Sequence, residues 1–214
     1  MCRMKNKFNL ILVLLALGSS GEARAQELPA QKVELTPFYG YQVGGGFGTL
    51  EGRASVASAP VYGLAMGVFV NPEWQFEAFY SRQDTELTVR DTSPFSPSSK
   101  VFDVSVEYFQ GGFLYEFDPQ KSVRPFLLVS LGATRIDPKE ADFSTEWYVS
   151  IVGGGGVKLF VSEHVGFRFQ GNFLVPFLWL NSRFFCTTPG GCLIYISGAT
   201  TLQVSGTAGI VLAF

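Results

Sequence analysis

The sequence predicts an all-β fold, an eight-stranded antiparallel up-and-down transmembrane β-barrel, from its composition and its periodicity. Hydrophobic residues make up 47% of the chain and aromatic residues 15%, whereas charged residues make up only 16%. Beyond the N-terminal segment, no apolar run reaches the ~20 residues of a membrane-spanning helix. Apolar residues instead alternate with polar or small ones, as in strands that face lipid on one side. A soluble all-β protein is the alternative interpretation.

Eight segments have the alternation of a strand. They are residues 33–44, 61–70, 74–83, 101–117, 123–134, 146–160, 165–179 and about 195–214. The connections after strands two, four and six have about three to five residues, and the other connections about ten to fifteen. Short periplasmic turns and long external loops produce this alternation in outer-membrane barrels.

Two strands decide how the barrel closes and which side chains face inward. Counted back in twos from Phe214, the last strand has one face that is apolar throughout, and it must pair with the first strand to leave no free edge. In the fourth strand, strict alternation would put Gln110 and Glu116 on the same face as Val106 and Tyr108. We therefore predict a one-residue bulge near Phe109 that keeps these polar residues off the lipid-facing side.

The N-terminus has the three parts of a secretory signal peptide. Basic residues precede an apolar stretch at residues 8–17, and Ala23-Arg24-Ala25 fits a cleavage site. We predict a cleaved signal peptide (residues 1–25), a short N-terminal segment (26–32) and a barrel domain (33–214). Cleavage would leave 12 of the 16 basic and 17 of the 18 acidic side chains, a balance that argues against nucleic acid as a partner.

These features resemble the eight-stranded outer-membrane β-barrel family of the OmpA membrane-domain and OmpX type, over about residues 31–214. Several motifs contribute to the resemblance: the signal-type N-terminus, Tyr62-Gly-Leu-Ala-Met-Gly67, Asn71-Pro72, Glu77, Tyr80, Arg124-Pro-Phe126, Gly132, Gly153 to Gly156 with Lys158, and Phe214.

The resemblance implies a monomer in the outer membrane, exported through the periplasm. It implies contact with outer-membrane lipid or lipopolysaccharide and transient contact with the barrel-assembly machinery. Phe214 resembles the terminal aromatic signal that this machinery recognises, so we expect that deleting it would impair insertion.

The candidate functional site is a charge network inside the barrel. The predicted inward faces place three acidic and three basic residues in the lumen: Glu34, Glu77, Glu107, Arg124, Lys158 and Arg168. An eight-stranded barrel is just wide enough to be filled by its own side chains, and buried charges are expected to pair. The network is therefore either a salt-bridged plug or a gated ion path.

Other motifs give no catalytic set. Gly153 to Gly156 lacks the Gly-Lys-Ser/Thr of a phosphate-binding loop, and His164, the one histidine, lies in a predicted turn without partners. We expect no metal site and no cofactor. Cys186 and Cys192 enclose a short loop, where a disulfide or a metal pair is conceivable, and export favours the disulfide.

The remaining site residues are aromatic. Trp74 is expected at one membrane interface, and Trp147, Trp179 and Tyr195 at the other. The sequence thus predicts a non-enzymatic outer-membrane barrel that serves envelope integrity and surface-loop display or adhesion. A narrow pore for small, including apolar, solutes is the alternative, and an acyl-chain enzyme of the outer leaflet is a third hypothesis.

Overall fold

The computed structural model describes residues 33–49, 52–91, 99–140, 144–177, 183–186, 192–195 and 202–214. The predicted signal peptide and N-terminal segment lie outside the described residues. The strands are β1 Val33–Val43, β2 Gly46–Thr49, β3 Gly52–Val56, β4 Ala59–Phe69, β5 Trp74–Asp91, β6 Ser99–Glu116, β7 Val123–Pro138, β8 Glu146–Phe160, β9 Val165–Pro176, β10 Arg183–Cys186, β11 Cys192–Tyr195 and β12 Gln203–Ala213. No helix in this part of the chain is long and apolar enough to cross a membrane.

Eight of these strands form a closed antiparallel barrel, which confirms the predicted fold. β1 pairs with β4 and β12, β4 pairs with β5, β5 to β9 pair in chain order, and β9 pairs with β12. The seam between the first and last strands runs from Glu34 opposite Ala213 to Val43 opposite Val204. Every barrel strand therefore has two neighbours, and no backbone edge is left for lipid.

Alternating side chains give the barrel an apolar outer face. Tyr39, Leu131 and Phe173 face outward and are 62%, 58% and 57% exposed. Their neighbours in the sequence face inward, and many of those buried residues are polar. This arrangement is the reverse of a soluble β-protein and fits a barrel surrounded by lipid.

The wall of the barrel is higher on one side than on the other. β5 and β6 have 18 residues each, whereas β1, β4 and β12 have 11. β4 pairs with the first half of β5, and beyond it β3 pairs with Leu87 to Asp91. The β2–β3 hairpin thus adds to the higher side.

Three predicted boundaries are wrong because strands are present where a connection was expected. The third predicted strand ends at residue 83 and the fifth at residue 134, but β5 continues to Asp91 and β7 to Pro138. The expected connection between residues 44 and 61 contains the β2–β3 hairpin. At the other end of the sequence, β12 begins at Gln203, whereas Tyr195 belongs to the small β10–β11 hairpin.

The predicted bulge near Phe109 is also wrong. From Val104 to Glu116, β6 pairs with β7 without interruption, and the one shift against β5 lies between Leu87 and Thr88. Strict alternation therefore holds, and Val106, Tyr108, Gln110 and Glu116 share the inward face. The apolar residues at the start of this face fill the lumen and do not contact lipid.

Candidate functional site in the barrel lumen

A layer of six charged side chains crosses the lumen at the end that carries the short turns. We call it the charged layer, and each member comes from a different strand: Glu34, Glu77, Glu116, Arg124, Lys158 and Arg168. Three acidic and three basic groups balance one another. Five of the six belong to the network predicted from the sequence.

Lys158 is the centre of this layer and is completely buried. Its ammonium group donates hydrogen bonds to Glu34 Oε2, to Glu116 Oε1 at 2.5 Å and to Gln75 Oε1 at 3.2 Å. Gln75 in turn donates to Glu34 Oε2 at 2.9 Å. All three ammonium protons are used, so one cation on β8 connects that strand to β1, β5 and β6 across the lumen.

Arg168 and Glu77 form the second ion pair of the charged layer. Two guanidinium nitrogens donate to the two carboxylate oxygens at 2.5 and 3.0 Å, and both side chains are 4% exposed. The guanidinium also lies 4.6 Å from the centre of the Phe126 ring. Bidentate pairing fixes the position of both side chains and satisfies most of their hydrogen-bonding groups.

Arg124 closes the layer at the short-turn end. Its guanidinium lies 3.8 Å from Glu116 Oε2 and 4.1 Å from the centre of the Phe160 ring, and it donates to the carbonyl oxygen of Lys121 at 2.9 Å. Glu34 Oε1 and Arg168 Nε have no protein partner within the described residues. The layer is thus densely paired, with few polar atoms left over.

A layer of glutamines lies farther from the short turns. Gln42 donates to Gln83 at 3.0 Å and to Gln203 at 2.8 Å, and the Tyr108 hydroxyl donates to Gln203 at 2.5 Å. These residues come from β1, β5, β12 and β6, so their hydrogen bonds cross the barrel. The layer is uncharged, unlike the charged layer near the short turns.

Apolar side chains fill the lumen beyond the glutamines, toward the long loops. The buried members of this apolar layer are Val56, Leu87, Val104, Val106 and Tyr148, with Ile136 packed against them. Sequence reasoning missed this layer because a membrane barrel is expected to carry its apolar residues outside. Packed apolar side chains exclude water, so the two ends of the lumen are filled by side chains of different chemistry.

Glu107 does not lie in the lumen, and its assignment to the charge network is wrong. It is opposite Arg82 on β5 and Arg135 on β7, on the outer face of the barrel. It accepts hydrogen bonds from Arg135 at 3.0 Å, from Arg82 at 3.3 Å and from the Tyr80 hydroxyl at 2.9 Å. These side chains cover Glu107, which is only 4% exposed although it faces outward.

Glu107 belongs to a group of charges just beyond the apolar belt, which we call the outer charge cluster. Its members are Arg82, Asp84, Glu107, Arg135, Asp137 and Lys139. Asp84, above the lipid-facing part of β5, accepts hydrogen bonds from Ser105 at 2.7 Å and Arg82 at 3.1 Å. Burial raises the pKa of Asp84, but bonds from Arg82, Ser105 and Lys139 outweigh this effect and hold the pKa well below its usual range.

Glu116 takes the place in the lumen that the sequence-based scheme gave to Glu107. The signal was present in the sequence, since strict alternation from Tyr108 leads to Glu116 without a bulge. The inward position of Glu116 was not recognised because the inward face of β6 begins with apolar residues, as a lipid-facing strand does. Only the pairing of β6 with its neighbours resolves the choice.

The other predicted site residues are placed as follows. Trp74 and Trp147 face outward and are exposed, whereas Trp179 lies outside the described residues and only the backbone of Tyr195 is described. His164 lies in an exposed turn, where its carbonyl oxygen accepts the N–H of Ala213, and Gly153 to Gly156 continue strand β8. The described residues contain no group of three or more His, Cys, Asp or Glu suited to a metal ion.

Comparison with known proteins gives the same architecture. The family model of the outer membrane protein beta-barrel domain matches residues 10–174. The structure of Neisserial surface protein A is similar with a TM-score of 0.54 and 15% identity, covering 85% of this chain and 97% of that chain. OprG from Pseudomonas aeruginosa gives 0.52 and 12%, covering 86% and 97%. At these identities the likeness concerns the fold alone, and no curated protein sequence matches the chain.

Proposed function

The chain belongs to the family of outer membrane proteins with a β-barrel domain, and we propose that it is a non-enzymatic barrel whose lumen is filled by its own side chains. In this proposal its roles are envelope integrity and the display of surface loops, including adhesion. The protein is exported through the periplasm and contacts the barrel-assembly machinery transiently. It works as a monomer in contact with outer-membrane lipid or lipopolysaccharide.

The observation that supports a closed lumen is the sequence of three layers along the barrel axis. An ion would have to separate the Lys158 and Arg168 pairs, which are almost without solvent exposure. It would then have to enter the apolar layer around Val104 and Val106, whose side chains cannot replace its hydration. Both the separation of the ion pairs and the loss of the ion's hydration in the apolar layer oppose conduction.

Conductance of the refolded protein in a planar lipid bilayer tests this proposal. We expect no steady openings in the unmodified protein, because both closures must open at once. A variant that removes the centre of the charged layer and thins the apolar layer, Lys158→Ala with Val104→Ala and Val106→Ala, is expected to conduct. Glu107→Ala is the matched control, since Glu107 lies outside the barrel. Steady openings of the unmodified protein in the nanosiemens range would contradict a closed lumen.

A path for small apolar solutes is the second candidate. The apolar layer favours it, because Leu87, Val104 and Tyr148 offer such a solute a lining from which water is excluded. Uptake of a small hydrocarbon into vesicles separates the two functions. Vesicles with the protein would take up the hydrocarbon faster than empty vesicles if a path exists, and at the same rate if the barrel is closed.

The β10–β11 hairpin gives the surface loops a candidate disulfide. The backbone of Cys186 lies directly opposite that of Cys192 in the pairing of these strands. Residues opposite each other in an antiparallel pair have Cα atoms roughly 4.5–5.5 Å apart, within the range that disulfides span. A disulfide here would stabilise the folded protein by ~2–3 kcal/mol on the chain-entropy model, because it restricts the unfolded loop.

Thiol labelling tests the disulfide. We expect the protein purified from the outer membrane to react with maleimide only after reduction, at two cysteines once the signal peptide is removed. The Cys186→Ser and Cys192→Ser variants are controls, because each should expose one reactive thiol without reduction. Labelling of both cysteines in the unreduced, unfolded protein would rule out the bond.

A further inference from the structure

The outer charge cluster lies directly above an apolar pit in the lipid-facing wall. The pit has a volume of about 510 Å³ and is lined by Leu64, Met66, Tyr80 and Phe109, among others. Ala78 is one of its lining residues and is opposite Gly111 on the neighbouring strand, so two small residues lie side by side at its edge. An added Cβ at Gly111 would meet only the tip of Phe76, at 3.6 Å.

The first exposed charges above the pit are cationic. On β5, Arg82 follows Tyr80 on the outward face, and the acidic residue of that face, Asp84, comes two positions farther from the belt. β7 repeats this order, with Arg135 before Asp137. A lipid headgroup at the boundary between hydrocarbon and water is therefore closer to the two guanidinium groups than to either aspartate.

Glu107 holds these two guanidinium groups in place. It lies between them on β6, nearly buried, and accepts a hydrogen bond from each. Arg82 and Arg135 are two strand spacings apart, roughly 10 Å at their backbones. Each retains about a third of its side-chain exposure, 35% and 34%, so both have surface available for a further acceptor.

We propose that this patch binds one amphiphile of the outer leaflet whose phosphate lies next to its acyl chains. An acyl chain fills the pit between Met66 and Phe109, and the phosphate accepts hydrogen bonds from Arg82 and Arg135. Guanidinium groups suit phosphate because their N–H groups match its oxygens in pairs. The inference requires the barrel to be in a membrane, but it is independent of whether the lumen conducts.

Quenching of Trp147 by brominated lipids tests the proposal. The Trp147 ring lies 5.8 Å from that of Phe109, which lines the pit. In a Trp74→Phe, Trp179→Phe background, Trp147 is the single tryptophan and reports the lipid beside it. The refolded protein is placed in phosphatidylcholine vesicles that contain either dibrominated phosphatidic acid, whose phosphate has no choline to shield it, or dibrominated phosphatidylcholine.

We expect phosphatidic acid to be preferred over phosphatidylcholine beside Trp147 by about fivefold, because two partly exposed ion pairs contribute modestly to the binding free energy. Arg82→Gln with Arg135→Gln should remove the preference, and Gly111→Leu should remove it because the leucine extends into the pit from its edge, beside Ala78. Lys121→Gln, in a turn at the other end of the barrel, and Gly206→Leu, an outward glycine with nothing within 4 Å of an added Cβ, are the matched controls.

Three results would overturn the proposal. They are equal quenching by the two lipids in the unmodified background, an unchanged preference in the Gly111→Leu protein, and loss of the preference when excess inorganic phosphate is added. The last result would mean that the phosphate binds without the pit. Gly111→Leu keeps the proposal testable if the double arginine variant does not fold, which is judged by its migration in SDS gels before and after boiling.

Discussion

Replacing Lys158 with methionine is expected to destabilise the barrel by about 3–5 kcal/mol, because the buried carboxylate of Glu34 loses its cation and that of Glu116 keeps only the more distant Arg124. Glu34 and Glu116 are 2% and 0% exposed, and Lys158 donates to both. Methionine has a similar length, so the change in packing is small compared with the loss of charge pairing. Urea unfolding in lipid vesicles, followed by tryptophan fluorescence, measures the difference.

A matched control and a rescue separate charge from packing in this experiment. Lys121→Met removes a lysine whose pair with Asp118 is exposed, and we expect a change of at most about 1 kcal/mol. Adding Glu34→Gln and Glu116→Gln to Lys158→Met should restore much of the stability, because amides need no counter-charge. If the triple variant were as unstable as Lys158→Met alone, unpaired charge would not be the cause.

The second expected result is that the ion pairs inside and outside the barrel differ in their response to salt. A double-mutant cycle on Glu77 and Arg168 should give a coupling of at least about 2 kcal/mol that changes little between low and high salt, because buried pairs are poorly screened. The same cycle on Glu107 and Arg135 should give a coupling that falls as salt is added, since Arg135 is partly exposed.

This comparison also tests the placement of Glu107 on the outer face. Both cycles use Gln for the acid and Met for the base, so that the changes in volume are alike. A coupling between Glu107 and Arg135 that is as insensitive to salt as that of Glu77 and Arg168 would mean that the whole pair, including Arg135, is shielded from the solvent, as in the lumen.

The sequence was sufficient to predict the closed barrel because period-two alternation recurs in segment after segment. The connection lengths alternate as well, so the strand order followed without ambiguity. Closure between the first and last strands then followed, since a free edge in lipid is unfavourable. Five of the six lumen charges could be assigned, because on their strands the opposite face is plainly apolar.

The failure at Glu107 has a physical reason that applies to the whole of β6. A period of two indicates that Tyr108 and Glu107 face opposite sides of the strand, but it does not indicate which of them faces lipid. The inward face of β6 begins with apolar residues because it packs against Leu87 and Tyr148 inside the barrel. Such contacts join distant parts of the chain, and they cannot be inferred from the local sequence pattern.

The length of β5 escaped prediction for a related reason. Beyond residue 83, the outward face of this strand carries polar or charged residues such as Asp84 and Thr88, so the lipid-facing apolar pattern ends there although Leu87 still faces inward. These residues remain in a strand through backbone hydrogen bonds to β3 and β6. Hydrogen bonding of that kind depends on partners elsewhere in the chain and cannot be inferred from the lipid-facing pattern.

The unequal height of the wall determines how far from the apolar belt the connections at its higher end begin. The segment between β5 and β6 starts from strands of 18 residues, so it begins well beyond the lipid surface. The segment between β9 and β12 starts from strands of 12 and 11 residues, close to the membrane. If the long connections face outward as proposed, sequence variation in the first segment would change a region distant from the membrane, and variation in the second would change a region that starts close to it.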